Sequence, residues 1–382
     1  MAVSKLNIRN DSYKLGGFLK KKGIERWLYF MCAQSDATGE ERSFFLELQV
    51  VNPHISPDKM TFSTKLKTEY SQEQLSEMLY SQESGQTVEA PSYVAVRAGM
   101  YGTNAKYISN YFKTKDLAYN KKKHSISLPG CYFSHSELRG KIELSNDDRL
   151  RHPEYYSASG CITWDLNIER LIDFPAGYIK KGNNWIPTGA ETVFSGAISV
   201  DGNVYTVNPK KCSGYTDKTW GDAFPRPFVH ISASSMTSLI TGKKLKNTCF
   251  TIQGLYENKL CAFIKILSDR IVFVQGKNSY SSEWTCTQMP KNDEDDQLRW
   301  SVSLHNKKYI IDIDIFCKTS SMCVRTYESA AVYGKIFKIL ESGDTSGELR
   351  LYKKIKKTVE LLEYAKISNA FCEYGEEDSI NA

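Results

Sequence analysis

The sequence predicts an all-β protein with few short helices, and three observations carry that expectation. Aromatic residues are plentiful, with 6 Trp, 17 Phe and 23 Tyr making 12% of 382 residues, and rings are enriched in strands. Glycines number 24 against 11 prolines, which suits turns between strands. Short apolar runs recur between turn-like segments, at the spacing of sandwiches and barrels. No apolar run approaches the ~20 residues of a membrane-spanning helix. At 41% apolar and 25% charged residues, the composition is globular rather than collagen-like or disordered. At roughly 150 residues per domain, the length suggests two domains.

The elements follow in chain order. Arg26–Ala33 and Phe44–Val51 read as strands flanking a turn at Ser35–Glu41. In the second run Leu46, Leu48 and Val50 share one face and Glu47 and Gln49 the other, the pattern of a half-buried strand. Ser71-Gln72-Glu73-Gln74 fits a capping box, and Leu75, Met78 and Leu79 follow at helical spacing. Asp201-Gly202 separates Phe194–Val200 from Asn203–Val207, and Asp-Gly favours the type I′ turn of a tight hairpin. Leu260–Leu267, Arg270–Gln275, Arg299–Leu304 and Tyr309–Phe316 read as a meander with short connections. Lys356–Lys366 suggests a second helix, with Val359, Leu362 and Ala365 on one side. Asn369–Gly375 looks like a closing strand, and Glu376–Ala382 like a frayed acidic tail.

Charge and motif content narrow the function. Lys+Arg 50 against Asp+Glu 44 gives a formal charge of +6, and the clusters Lys20–Lys22, Lys121–Lys123 and Lys353–Lys357 are short and scattered. Nucleic-acid binders concentrate such residues on one face, so no nucleic-acid partner is expected. The ten Cys form no C-x-x-C pair and the six His are dispersed, so no metal site is expected. Reduced, buried thiols suit a cytoplasmic protein, and MAVSKLNIRN lacks the apolar core of a secretory signal. Asp293–Asp296, between two strands, reads as a solvated loop, because calcium loops need a defined ligand pattern with a Gly turn. There is no P-loop, G-x-G-x-x-G, G-x-S-x-G or H-E-x-x-H. Kinases, dinucleotide oxidoreductases, α/β esterases and zincins recede accordingly, and no cofactor is expected.

The densest unusual segment is Gly214–Ser235. It gathers Tyr215, Asp217, Lys218, Trp220, Asp222, Phe224, Phe228 and His230, and an upstream stretch adds Trp164, Asp165, Tyr178, Trp185 and Pro187. Carboxylates interleaved with rings can form an apolar pocket around one acid. Burial raises an Asp above its usual value of about 3.9. A carboxyl kept protonated in this way can protonate a double bond while rings stabilise the cation. The same residues also fit a structural reading, with Trp220 a barrel plug and Asp217–Lys218 a surface pair.

These segments resemble a known family. Gly214–Pro225 resembles the G-x-x-(E/D)-K-x-W-G-x-x-F-P block of tocopherol cyclases and the G-Y-x-D-x-N-x-G block of the carotenoid hydratases (hydroxyneurosporene synthases). Trp185-Ile186-Pro187 resembles the hydratases' H-x-W-x-P motif, with Asn183 at the His position. Glu25–Phe30 is similar to their aromatic opening, and Phe371–Gly375 to the closing strand of the cyclases. The resemblance implies two lipocalin-like β-barrels or curved sheets packed together, taken here as 1–205 and 206–375, with 376–382 as a tail. It implies a pocket near their junction for an apolar isoprenoid-like or polyene molecule. Asp217 would be the proton donor, Tyr215 would orient it and Trp185 would face the carbocation. Trp220, His230, Phe224 and Phe228 would contact ligand. Trp27, Tyr29 and Trp164 lie in expected strands, where a ring on the inner face of a barrel is core first and a ligand contact second. A peripheral membrane contact would let the protein collect lipid.

Three functions fit: acid-catalysed hydration or cyclisation, lipid binding without catalysis, and a cycloaddition governed by pocket shape. A buried, ring-surrounded Asp217 favours the first. An Asp217 turned outward onto a lysine favours the second or a structural role.

Overall fold

A computed structural model describes residues 11–16, 22–63, 90–151, 158–174, 177–179, 182–211, 213–222, 228–256, 259–274, 276, 279–291, 294–331 and 336–376. Strands dominate these residues. One short α-helix, Asn146–Arg151, and two 3₁₀ turns, Thr114–Asp116 and Thr319–Ser321, are the described helices. The expected all-β architecture of curved, packed sheets is the one the chain adopts. Among the described residues no helix is long and apolar enough to cross a membrane. The segment 71–79, expected as a helix, lies outside the described residues, as do Phe224 and the tail from 377.

The strands form sheets of thirteen, seven and six. The first begins with the hairpin Ile24–Ser35 and Glu41–Val51, then Tyr93–Met100 and Lys106–Phe112. On its other side Ile24–Ser35 pairs with two strands laid end to end, Gly214–Gly221 and Asn203–Val207. Both also pair with Asn183–Val200, so the pairing closes on itself. Register shifts near Gly189 bend Asn183–Val200, as bulges do. The sheet coils until Lys106–Phe112 meets Glu137–Leu144. Its concave face is packed with Trp27, Tyr29, Leu46, Leu48, Val96, Phe133 and Trp164. The Asp201-Gly202 turn is as expected: Asp201 has φ 50° and Gly202 φ 86°, the two positive angles a type I′ turn requires.

The seven-stranded sheet is the middle layer. Val229, Ile231, Phe250, Ile252, Ala262, Ile264 and Cys372 on one face join Trp300, Val302, Ile311, Ile313, Ile315 and Leu349 of the six-stranded sheet in one apolar core. The other face meets the convex side of the first sheet, and there the packing is polar. Glu47 and Gln49, expected to face water, are fully buried in this interface. The alternation was read correctly, but its polar face is covered by a second sheet.

Three further expectations change. Lys356–Lys366 is not helical. Thr358–Ser368 is a strand paired with Ser346–Ile355, because Glu363, Ala365 and Ile367 turn inward with period two. Helix-forming Glu, Leu, Lys and Ala residues are overridden by that pairing. The four-run meander is two hairpins in different sheets: Lys259–Ile266 with Asp269–Phe273, and Glu294–Asn306 with Tyr309–Lys318. Glu294–Asp296 opens a strand rather than a loop, and Asp293 lies outside the described residues. The closing strand is Phe371–Glu376.

Candidate active site at the sheet interface

Gly214–Gly221 places its side chains alternately on the two faces of the first sheet. Tyr215, Asp217 and Thr219 face the middle sheet. Lys218 and Trp220 face the concave interior, opposite Trp27 and Glu25 in register. A strand's period of two makes this split unavoidable. Trp185 is paired in register with Thr219, and its indole Nε1 donates to Asp217 Oδ2 at 3.0 Å. The Tyr215 hydroxyl donates to the same oxygen at 3.1 Å. The three expected catalytic residues therefore converge.

Asp217 is 1% exposed. Burial pushes its carboxyl above the ordinary Asp value, against the opposing charges of Arg26 and His230. Its Oδ1 has no hydrogen-bond partner among the described residues. The nearest cation to it is Arg26 Nη2 at 3.9 Å, beyond hydrogen-bond reach. The surface-pair alternative is thus overturned: Asp217 and Lys218 are both buried and point to opposite faces.

Phe228 and His230 arrive on the Phe228–Ala233 strand of the middle sheet. His230 Nδ1 lies 2.7 Å from Glu373 Oε2 and Nε2 2.8 Å from Ser232 Oγ. The His230 ring packs against Tyr215 at 5.2 Å, Phe371 at 5.4 Å and Trp185 at 6.1 Å between centroids. Phe228 lies beneath the Arg26 guanidinium. On the far side of Trp185 is an apolar cluster of Ile172, Phe174, Ala190, Cys249, Cys261 and Phe263. Asp217 thus stands between an apolar wall and an ionic one.

The ionic wall is the part sequence reasoning missed. Arg26 grips Glu373 with both terminal nitrogens, at 2.8 and 3.1 Å. Arg97 reaches Glu47 at 2.6 Å. Arg325 pairs with Glu47 at 2.5 Å, with Glu373 at 3.2 Å and with Glu341. Tyr101 and Tyr327 donate to Glu341 and Glu47. Burial alone would raise Glu47 and Glu373. The surrounding arginines, with His230 in the case of Glu373, instead hold both below the usual carboxylate range. A signal was present: Arg26 and Glu47 interrupt otherwise apolar strand runs, and a charge inside such a run is buried only with a partner.

The remaining expected ligand contacts gather elsewhere. Trp27, Tyr29 and Trp164 lie in the interior of the first sheet, joined through Phe133. Trp220 is near them on that face, 5.7 Å from Lys218 Nζ. Residues 11–16 close over this interior: Trp27 Nε1 donates to the Asp11 carbonyl, and Asp11 pairs with Arg170 at 2.6 Å. A gap beside Asp11, Trp27, Tyr29 and Phe133 holds about 10 Å³, too small for a lipid. Trp27, Tyr29, Trp164 and Trp220 are not brought to Asp217.

The fold and site define an all-β protein with a buried acid held between two sheets. No family model matches the chain, and no curated protein matches it. Among solved structures it is similar to a Nitrosomonas europaea protein assigned as AttH, at 11% identity over 94% of this chain and 97% of that one, TM-score 0.44. It is also similar to kievitone hydratase from Nectria haematococca, at 10% identity over 91% and 88%, TM-score 0.45. At that similarity nothing about either protein's activity transfers to this chain.

Proposed function

We propose that the protein binds an apolar, unsaturated small molecule, isoprenoid-like or polyene, against the Trp185 side of the interface. It hydrates or cyclises that molecule with Asp217 as the acid. The observation that carries this reading is the state of Asp217: buried, raised in pKa, fixed at Oδ2 by Trp185 and Tyr215, and unsatisfied at Oδ1. A neutral carboxyl can give its proton to an alkene. The Trp185 ring, packed against His230 and Phe263, would stabilise the carbocation of a ligand admitted beside it, and Tyr215 fixes the acid's orientation. The sequence resemblance around Gly214–Pro225 supports the same roles. No cofactor is required by this chemistry.

A second reading has its own observation. Arg26 and His230 both lie 3.9 Å from Asp217, so the acid also serves as a member of the ion lattice, in a protein that binds lipid without transforming it. The experiment is to extract the purified protein with solvent, identify the recovered lipid by mass spectrometry, and incubate it with wild type and Asp217→Asn. Turnover in the variant falls by about a hundredfold or more while binding persists. Undiminished turnover would remove Asp217 from the chemistry. Recovery of the same lipid unmodified from wild type leaves the binding reading.

A further inference from the structure

We propose that Asp217 and His230 hold a single proton between them, passed through the hydroxyls of Tyr215, Thr251 and Ser232. The path is continuous: Asp217 Oδ2 to Tyr215 OH is 3.1 Å, Tyr215 to Thr251 Oγ1 3.1 Å, Thr251 to Ser232 Oγ 2.8 Å, and Ser232 to His230 Nε2 2.8 Å. Every member is buried, so no solvent is needed to complete it. The direct separation of His230 Nδ1 from Asp217 Oδ2 is 3.9 Å, too long for a hydrogen bond.

Hydroxyl groups donate and accept, so the chain can run in either direction. In one, Ser232 donates to Thr251, Thr251 to Tyr215 and Tyr215 to the Asp217 carboxylate. His230 then donates from both nitrogens, to Ser232 and Glu373, as an imidazolium. In the other, the Asp217 carboxyl donates to Tyr215 and each hydroxyl reverses. Ser232 then donates to Nε2 of a neutral His230 that keeps its Nδ1 proton on Glu373. The two forms differ only in where one proton sits, and no atom is gained or lost.

Arg26, Arg97 and Arg325 pair with Glu47, Glu341 and Glu373. Asp217 and His230 lie 3.9 Å apart beside those pairs, and share the one proton either as an ion pair or as two neutral groups. The groups facing His230 are Ser232 and Phe228 from its own strand, Glu373 and Phe371 from the closing strand and Thr251 from Cys249–Tyr256. Tyr215 and Asp217 from Gly214–Gly221, Trp185 from Asn183–Val200 and Arg26 also face it, and Gln253 lies opposite it in register. For the function proposed above, on which its purpose rests, the proton moves to Asp217 and is donated to one alkene carbon. The water that adds to the neighbouring carbon releases a proton that restores the pair. His230, Ser232 and Thr251 are then positioning residues that act through Asp217.

The test is long-range proton–nitrogen NMR of the His230 ring in the ¹⁵N-histidine-labelled full chain, at neutral pH and without ligand. In wild type the ring nitrogens resonate between the neutral and imidazolium limits. Thr251→Val and Ser232→Ala cut the path and collapse the ring to the neutral form protonated at Nδ1, whereas Thr251→Ser retains the wild-type signature. Should the cut variants fail to fold, the near-isosteric Asp217→Asn gives the same collapse. A His230 ring unchanged by a folded cut variant, or by Asp217→Asn, overturns the shared proton. That result leaves the acid role standing if Asp217→Asn is still inactive on the extracted lipid. Full turnover by Asp217→Asn removes the acid role whatever the ring shows.

Discussion

Asp217 and Lys218 are adjacent, share one strand and are both buried, yet their surroundings differ in kind. Lys218 is closed off. Its ammonium pairs with Glu25 at 2.5 Å, donates to the Ser12 carbonyl and lies 4.3 Å from the centre of the Trp27 ring. Glu25 in turn accepts from the backbone of Lys14 and Leu15. Asp217 has two donors on one oxygen and none on the other. The lysine is held by partners on every side shown, whereas the acid keeps one unsatisfied oxygen, the feature on which its proposed role as proton donor rests. The alternation of one strand separates the two roles.

The largest expected experimental effect belongs to the closed side. Lys218→Met removes the ammonium partner of buried Glu25 and leaves it the amides of Lys14 and Leu15, which costs about 3–5 kcal/mol. Denaturant unfolding measures it, and a loss under about 1 kcal/mol would mean the lysine is not the keystone of that face. Next comes the pH dependence. Glu47 and Glu373 are depressed in the folded state, so their contribution is present above the unfolded value of about 4.3. It is lost as pH falls through the lower folded values. Melting curves between pH 7 and 3 should show stability falling on the acid side, on the order of 2 kcal/mol or more.

Asp217 runs the other way. Its raised folded pKa adds stability at low pH that is lost as pH rises. Asp217→Asn keeps an acceptor for Trp185 and Tyr215 and changes stability by about 1 kcal/mol or less. Relative to wild type, the variant gains stability as pH rises from about 4 to 7, as paired melts at the two pH values would show. The smallest effect is that of Trp185→Phe. It removes a donor that favours the carboxylate and shifts Asp217 further upward, measured by NMR titration.

Local chemistry was legible in the sequence and distant pairing was not. Asp201-Gly202 announced its hairpin because the turn requires positive φ at both residues and those two tolerate it. Tyr215, Asp217 and Trp185 could be grouped because their motifs are short. Arg26 meets Glu373 across 347 positions, and nothing local to either residue names the other. The polar face of Glu41–Val51 looked solvent-facing because alternation reports a change of face, not what covers it. Trp27, Tyr29 and Trp164 could be core or ligand contacts by residue type, and strand parity sends Trp27 and Tyr29 to the side away from Asp217. The place of Ser232 between His230 and Thr251 depends on strand register.

The account stands on Asp217 being a buried acid that keeps a proton. The most direct measurement is the carboxyl-carbon resonance of Asp217, followed by NMR against pH in the full chain, with Asp217→Asn to assign it. The structure predicts a titration displaced above the ordinary Asp value of about 3.9. A plain carboxylate at neutral pH, titrating near that ordinary value, would contradict it.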